Sequence, residues 1–242
     1  LVSWVQPDIK KLVAYSSVSH MGYVLVGLFA LNMQGVEGGI YQMLNHGLST
    51  GALFLLVGMI YERRHTRLME EFGGLAKLMP VYATFLMIAT LASVAVPGTN
   101  GFVGEFLILL GAYKSYPVLA IIATSGALFS VIYMLWMYQR VMFGPVDKDK
   151  NSGLSDLTWR ETVTMLPIAV LIIIMGIFPS LFLRQMDASA EHFIHTVKSR
   201  YNTYVALEEQ RLPQEGQLAQ WMDFIPDTHD ISDRVSPTHG GQ

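Results

Sequence analysis

An all-α, multi-pass membrane bundle is the fold class this sequence predicts, and three observations predict it. The chain is 52% hydrophobic and only 14% charged, where a soluble domain carries about a quarter charged residues. Its charges are segregated, leaving several runs of 18 or more residues with one charge or none, which is the transmembrane pattern. The third observation is a run of this kind that breaks in its middle, VAVPGTNGFVGEFLILLGAY over 94–113. Net charge is -3, which gives no footprint for nucleic acid. There is no cysteine, which removes disulfides, thiolate catalysis and cysteine-ligated iron–sulfur clusters.

The chain begins Leu1-Val2-Ser3-Trp4 without methionine, as expected of a start inside a longer protein, and 1–5 reads as the last turn of a helix. Pro7-Asp8 opens a new helix. About 20 residues cross the hydrocarbon core, which puts spans at 9–32, 37–61, 80–113, 117–140 and 162–184. The third is too long for one straight crossing: a continuous helix would run to roughly 51 Å against a ~30 Å core. It is therefore two short crossings or one interrupted crossing. With one interrupted crossing, Lys10, Lys11, Arg63, Arg64, Arg67, Lys77, Arg140, Lys148, Lys150 and Arg160 all share a side, and Lys114 and Arg184 lie opposite. With two crossings, Arg140 to Arg160 would change sides and the asymmetry would collapse. The positive-inside rule selects one interrupted crossing. The bundle is thus expected over 1–184 and a polar tail over 185–242, with an amphipathic helix at 188–212 and extended chain around Pro213, Pro226 and Pro237 beyond it. This topology puts the tail opposite the positive loops.

Several residues do not belong in lipid. Glu105 comes first, since an ionised carboxylate near a helix centre costs ~2.5–3.5 kcal/mol on insertion scales. Pro97, Gly98 and Gly101 free backbone groups at the same depth, which is tolerated only against protein or water. A half-helix beginning near Gly101 would aim its positive end at that cavity, with Glu105 one turn later. Broken half-helices beside an intramembrane acid mark ion sites; the plainer reading is a kink whose acid is satisfied by a neighbouring helix. His20 sits halfway along the first span, with Ser16 and Ser17 one turn earlier. Gln42, Asn45, His46, Ser49 and Thr50 make one wet stripe on the second. These side chains could simply glue helices together. Two histidines and an acid are also what a proton relay needs, because each can accept and release.

Weaker signals have plain readings. Lys10 and Lys11 snorkel to the interface, and Tyr61 to Arg67 form an interfacial anchor. Gly47 and Gly51 match GxxxG in a glycine-rich chain. His192 and His195, three apart in the tail, read as a solvated helix face before a zinc site.

Five stretches together carry a family resemblance: DIKKLVAYSSVSHMGY (8–23), QMLNHGLSTGALFLLVG (42–58), YERRHTR (61–67), FGGL (72–75) and VPGTNGFVGEFLILLG (96–111). In this order and spacing, over about 1–185, the chain resembles the subunit M family of bacterial NADH:quinone oxidoreductase, whose mitochondrial counterpart is chain 4 of respiratory complex I. Sister subunits L and N usually carry glutamine where His20 stands or lysine where Glu105 stands. Mrp-type cation/proton antiporter subunits share the fold and are the nearest rival.

The resemblance implies the C-terminal, inverted-repeat portion of a 14-helix antiporter-like fold with one discontinuous helix. It implies that Glu105 ends a hydrated proton path along the membrane midplane, with His20 and His46 on its connecting part and the broken backbone at the exit. The family's acid and lysines of the other half-channel have no match in this chain, so a further segment or a second polypeptide would supply them. No cofactor is expected in this chain; NADH, FMN, iron–sulfur clusters and quinone would sit elsewhere in the complex. Partners implied are other antiporter-like membrane-arm subunits, the rest of the complex and the lipid bilayer. The expected location is an energy-conserving membrane, the bacterial inner membrane before the mitochondrial one, with the tail on the periplasmic or intermembrane side.

Overall fold

The structure, a computed structural model, describes residues 1–146, 151 and 153–211. After a 3-10 turn (Val2–Val5) come α1 (Ile9–Phe29), α2 (Met33–Arg64), a second 3-10 turn (Met69–Glu71), the one-turn α3 (Leu75–Leu78), α4 (Pro80–Ser93), α5 (Asn100–Ser115), α6 (Pro117–Met142), α7 (Trp159–Ile177) and α8 (Ser180–Arg211). One compact unit comprises Leu1–Ile194, holding α1 to α7 and the first turns of α8, and a second begins at His195 with the remainder of α8.

Four helices, α1, α2, α6 and α7, are each long and apolar enough to cross a membrane alone. The fifth crossing is composite. α4 has 14 residues and α5 has 16, roughly 21 and 24 Å of helix, so neither alone spans a ~30 Å core. The chain is an all-α membrane bundle with one discontinuous helix.

Hydrogen bonds at the two ends show which way the composite crosses. At one end, the Arg63 guanidinium at the close of α2 donates to both Glu161 carboxylate oxygens at 2.7 and 2.6 Å, on the first turn of α7. It also donates to the carbonyls of Met59 and Ser155. The Asp156 carboxylate accepts from the amides of Val81 and Tyr82 at 2.8 and 3.0 Å, satisfying orphan donors at the start of α4. At the other end, Asn32 donates to the Gly111 carbonyl at 2.7 Å and to Ser115 at 2.9 Å, near the close of α5. The pair α4–α5 therefore enters at the Arg63 end and leaves at the Asn32 end, as the charge asymmetry requires. Arg63→Ala removes the bidentate link and is expected to destabilise the fold by about 1.5–3 kcal/mol, read as a lower unfolding midpoint of the purified protein.

The helix ends correct several expected boundaries. α1 stops at Phe29 and α2 starts at Met33, not at 32 and 37, because Leu31 turns left-handed (φ 49) and the Asn32 side chain caps α2 by accepting from the Gly35 amide at 2.9 Å. An asparagine cap satisfies a helix start better than the apolar run around it suggests. α7 ends at Ile177 rather than 184. Phe178 precedes Pro179, which pushes it out of the helical region, and a new helix starts at Ser180. That helix runs from Ser180, eight residues before the expected start at 188, so the expected division at 184/185 falls inside it. The stretch beyond Leu212, with its three prolines, lies outside the described residues, as do Lys148 and Lys150.

α2 is the central strut, packed by α1, α5, α4 and α7. Its approach to α5 is set by glycines. A Cβ on Gly111 would collide with the backbone of Gly35, and one on Gly38 with the backbone of Leu107 and Ile108. Small residues let helix backbones close up in this way. Toward the Arg63 end, an apolar core that includes Leu12, Leu53, Leu56, Tyr82, Leu86 and Met134 fills the bundle.

Candidate functional site

The break is built from local backbone chemistry. α4 ends at Ser93, after which Ala95 (φ 56) and Gly98 (φ 93) take left-handed conformations. Gly98 does so freely, whereas Ala95 is held there against its preference. The Thr99 amide and hydroxyl both donate to the Val96 carbonyl, at 3.1 and 2.7 Å. α5 then begins at Asn100, one residue before the expected start. A Cβ on Gly101 would strike the Ala92 carbonyl, so glycine there is what lets the two half-helices overlap. Pro97 and Gly98 form the exposed outer lip of the break.

Glu105 lies one and a half turns into α5 and is 5% exposed. Its Oε1 is 3.1 Å from His20 Nδ1, and it accepts from Gln42 Nε2 at 3.3 Å. The acid therefore faces side chains of two neighbouring helices, α1 and α2. With the proton on His20, an N–H donates to carboxylate; with it on Glu105, an O–H donates to the ring nitrogen. The same geometry accommodates both states.

The stripe on α2 ties this pair to the break. Asn45 Nδ2 donates to Gln42 Oε1 at 3.2 Å and to the Asn100 carbonyl at 2.9 Å. Asn100 Nδ2 returns a bond to the Asn45 carbonyl at 3.5 Å, and Ser49 donates to that carbonyl at 2.9 Å. A Cβ on Gly104 would meet the Gln42 and Asn45 amides, so glycine opens the space they occupy. Thr50 is buried on the same helix. The His46 ring centre is 6.1 Å from that of His20, tilted by 49°.

Two of the expected residues stand apart. Ser16 and Ser17 both turn back on their own helix, donating to the Val13 carbonyl at 2.7 and 3.2 Å. Other residues, unexpected from the sequence, join in. Asn100 is fully buried at the start of α5, and Thr90 and Ser93 are buried on α4. The spacing of Thr90 and Ser93, one turn apart just before the prolyl break, was the available signal, masked by the apolar run around them.

The site also contains polar atoms with no protein partner among the described residues: His20 Nε2, His46 Nε2, Asn45 Oδ1, Asn100 Oδ1, Thr90 Oγ1 and Ser93 Oγ. Such groups are normally paired with protein or water. His20, Gln42, His46, Ser49, Ser93 and Gly101 surround about 180 Å³ of unfilled space, cut into slots too narrow for a water-sized sphere. The space is lined by side chains that can both donate and accept hydrogen bonds.

Comparison with known proteins bears on what such a site does. The family model described as NADH:quinone oxidoreductase/Mrp antiporter, transmembrane, matches residues 1–143. NADH-quinone oxidoreductase subunit M of Rhodobacter capsulatus is 47% identical over 203 residues, 84% of this chain and 40% of that protein. NADH-ubiquinone oxidoreductase chain 4 of Marchantia polymorpha is 44% identical over 189 residues, 78% of this chain and 38% of that one. Among solved structures, a chain of respiratory complex I from Thermus thermophilus with bound NADH superposes with a TM-score of 0.74 at 38% identity, over 80% of this chain and 41% of that chain. The chain thus spans about two fifths of the length of the relatives it matches.

Proposed function

The chain belongs to the NADH:quinone oxidoreductase/Mrp antiporter transmembrane family, and from that premise we propose that it is the exit half of a proton channel in the membrane arm of a respiratory NADH:quinone oxidoreductase. The observation that carries this reading is the buried Glu105–His20 contact at 3.1 Å, one and a half turns inside a half-helix that starts at a backbone break.

Protons enter the midplane from a partner segment that supplies the other half-channel, either a longer form of this polypeptide or a second chain. They pass through ordered water by way of His46 and His20 to Glu105. The unpaired ring nitrogens of both histidines and the hydroxyls of Thr90 and Ser93 are the groups that water would bridge. Glu105 releases its proton toward the end of the bundle bearing Asn32 and the start of α8, the periplasmic or intermembrane side. Because Asn45 bonds the first carbonyl of α5 and the Gln42 amide together, a shift of the break moves the ligands of Glu105 with it. Widening the slots by the width of a water opens the exit, and the present packing closes it.

Electron transfer from NADH to quinone takes place on other subunits. This chain has no cysteine with which to hold an iron–sulfur cluster, and its own residues supply proton binding and release only. The membrane is an energy-conserving one, with the bacterial inner membrane preferred.

The histidines test the reading. In the complex reconstituted into liposomes, His20→Phe is expected to slow NADH-driven acidification at least about ten-fold. Ser17→Ala, which removes a hydroxyl bonded only to its own helix, is expected to leave it unchanged. Equal rates for both variants and the wild type would remove His20 from the path. An Mrp-type antiporter reading remains within the same family. Copurification with flavin- and iron–sulfur-bearing subunits supports the oxidoreductase; sodium/proton exchange by a complex without them supports the antiporter.

A further inference from the structure

Where α1 begins and α2 ends, a groove of about 390 Å³ is lined by Lys10, Phe54, Val57, Gly58, Tyr61 and Arg67. Its two ends differ in chemistry. At the helix termini, Lys10 and Arg67 bring two cations together, with Lys10 in no ion pair among the described residues. The Arg67 guanidinium lies 5.2 Å over the Tyr61 ring centre, and its Nε has only a loose ion pair to Asp8 at 3.5 Å. Asp8 is meanwhile engaged as the cap of α1. The other end is apolar: Phe54, on the same helix as Arg64, lies about 15 Å deeper, half the depth of the hydrocarbon core. Gly58 keeps the groove open, because a Cβ there would meet nothing within 4 Å.

We infer that this groove is a binding site for an anionic phospholipid of the leaflet on the side of the positively charged loops. The phosphodiester sits between Lys10 and Arg67, with Tyr61 at the interface. One acyl chain runs down α2 across Gly58 to Phe54. The charge complementarity decides the occupant. Asp8 offsets Arg67 through the oxygen that does not cap α1, which leaves the Lys10 charge unmatched, and an anion with an apolar continuation fits both ends. Basic pockets between transmembrane helices on this side of a membrane are suited to such headgroups. A zwitterionic lipid would bring an ammonium of its own and leave the groove's net positive charge in place, and a free phosphate would leave the apolar limb unused.

The site is tested on the full chain in phosphatidylcholine nanodiscs doped with phosphatidylglycerol bearing a photoreactive group on its acyl chain, with the labelled peptide mapped by mass spectrometry. Labelling is expected within 54–61, displaced by unlabelled phosphatidylglycerol and not by inorganic phosphate. Lys10→Gln and Arg67→Gln are each expected to weaken it about five-fold. Gly58→Leu fills the apolar limb with the charges intact and is expected to remove the label, while thermal unfolding reports that each variant remains folded. Equal labelling by a phosphatidylcholine probe overturns the site, as does labelling that survives both Gly58→Leu and the charge substitutions. Displacement by inorganic phosphate assigns the cations to a free anion and overturns the lipid.

Discussion

Glu105→Gln is expected to leave the complex assembled and to slow proton translocation by on the order of 100-fold or more. The substitution keeps size and planarity. Its amide can still pair with His20 Nδ1, 3.1 Å from the present carboxylate oxygen, and with Gln42, 3.3 Å away. What it loses is the ability to take up and release a proton. If Glu105 instead served only to hold three helices together, exchanging its charge-assisted bonds for weaker neutral ones would reduce assembly and leave translocation per complex intact. The two cases separate when NADH-driven acidification of proteoliposomes is normalised to the NADH:quinone rate and to the subunit content of the same preparation. Full translocation by an assembled Gln variant would end the proton-channel reading.

Gly111→Ala carries the second large effect, on assembly rather than on chemistry. The added methyl would meet the amide nitrogen and Cα of Gly35 and the Asn32 side chain. All but the last are backbone atoms that cannot rotate away, so α2 and α5 have to separate. Overpacking of this kind costs about 1–3 kcal/mol and at times more. The damage reaches the site as well, because α2 carries Gln42 and Asn45 while α5 carries Glu105. The measurement is the yield and thermal stability of the assembled protein, with Gly47→Ala as the control. A Cβ on Gly47 or Gly51 meets nothing within 4 Å, and alanine favours helix over glycine by about 0.8–1 kcal/mol. An unchanged Gly111→Ala protein, or one no worse than the control, would show that the glycine contact does not set the helix spacing. The GxxxG match at Gly47 and Gly51 was thus the visible pattern, whereas the glycines that close the helix pair within this unit are Gly35, Gly38 and Gly111, drawn from two separate helices.

The same contrast runs through the rest of the molecule. The crossings, the interruption of the third and the burial of Glu105 and His20 away from lipid are legible from the chain, because each rests on an energy counted residue by residue. Apolar surface favours lipid, charge opposes it, and proline and glycine disrupt a helix wherever it lies. Helix ends are less legible at Asn32 and at Phe178-Pro179, where a single cap or a single ring outweighs the run of hydropathy around it. Only the tertiary structure decided which groups meet: that His20 and Glu105, 85 residues apart, share a contact, that Asn45 fastens the start of α5, and that Ser16 and Ser17 do not join them. Those meetings depend on how closely helices approach and at what rotation, and that is set by contacts between segments distant in the chain, which hydropathy along a single helix does not encode.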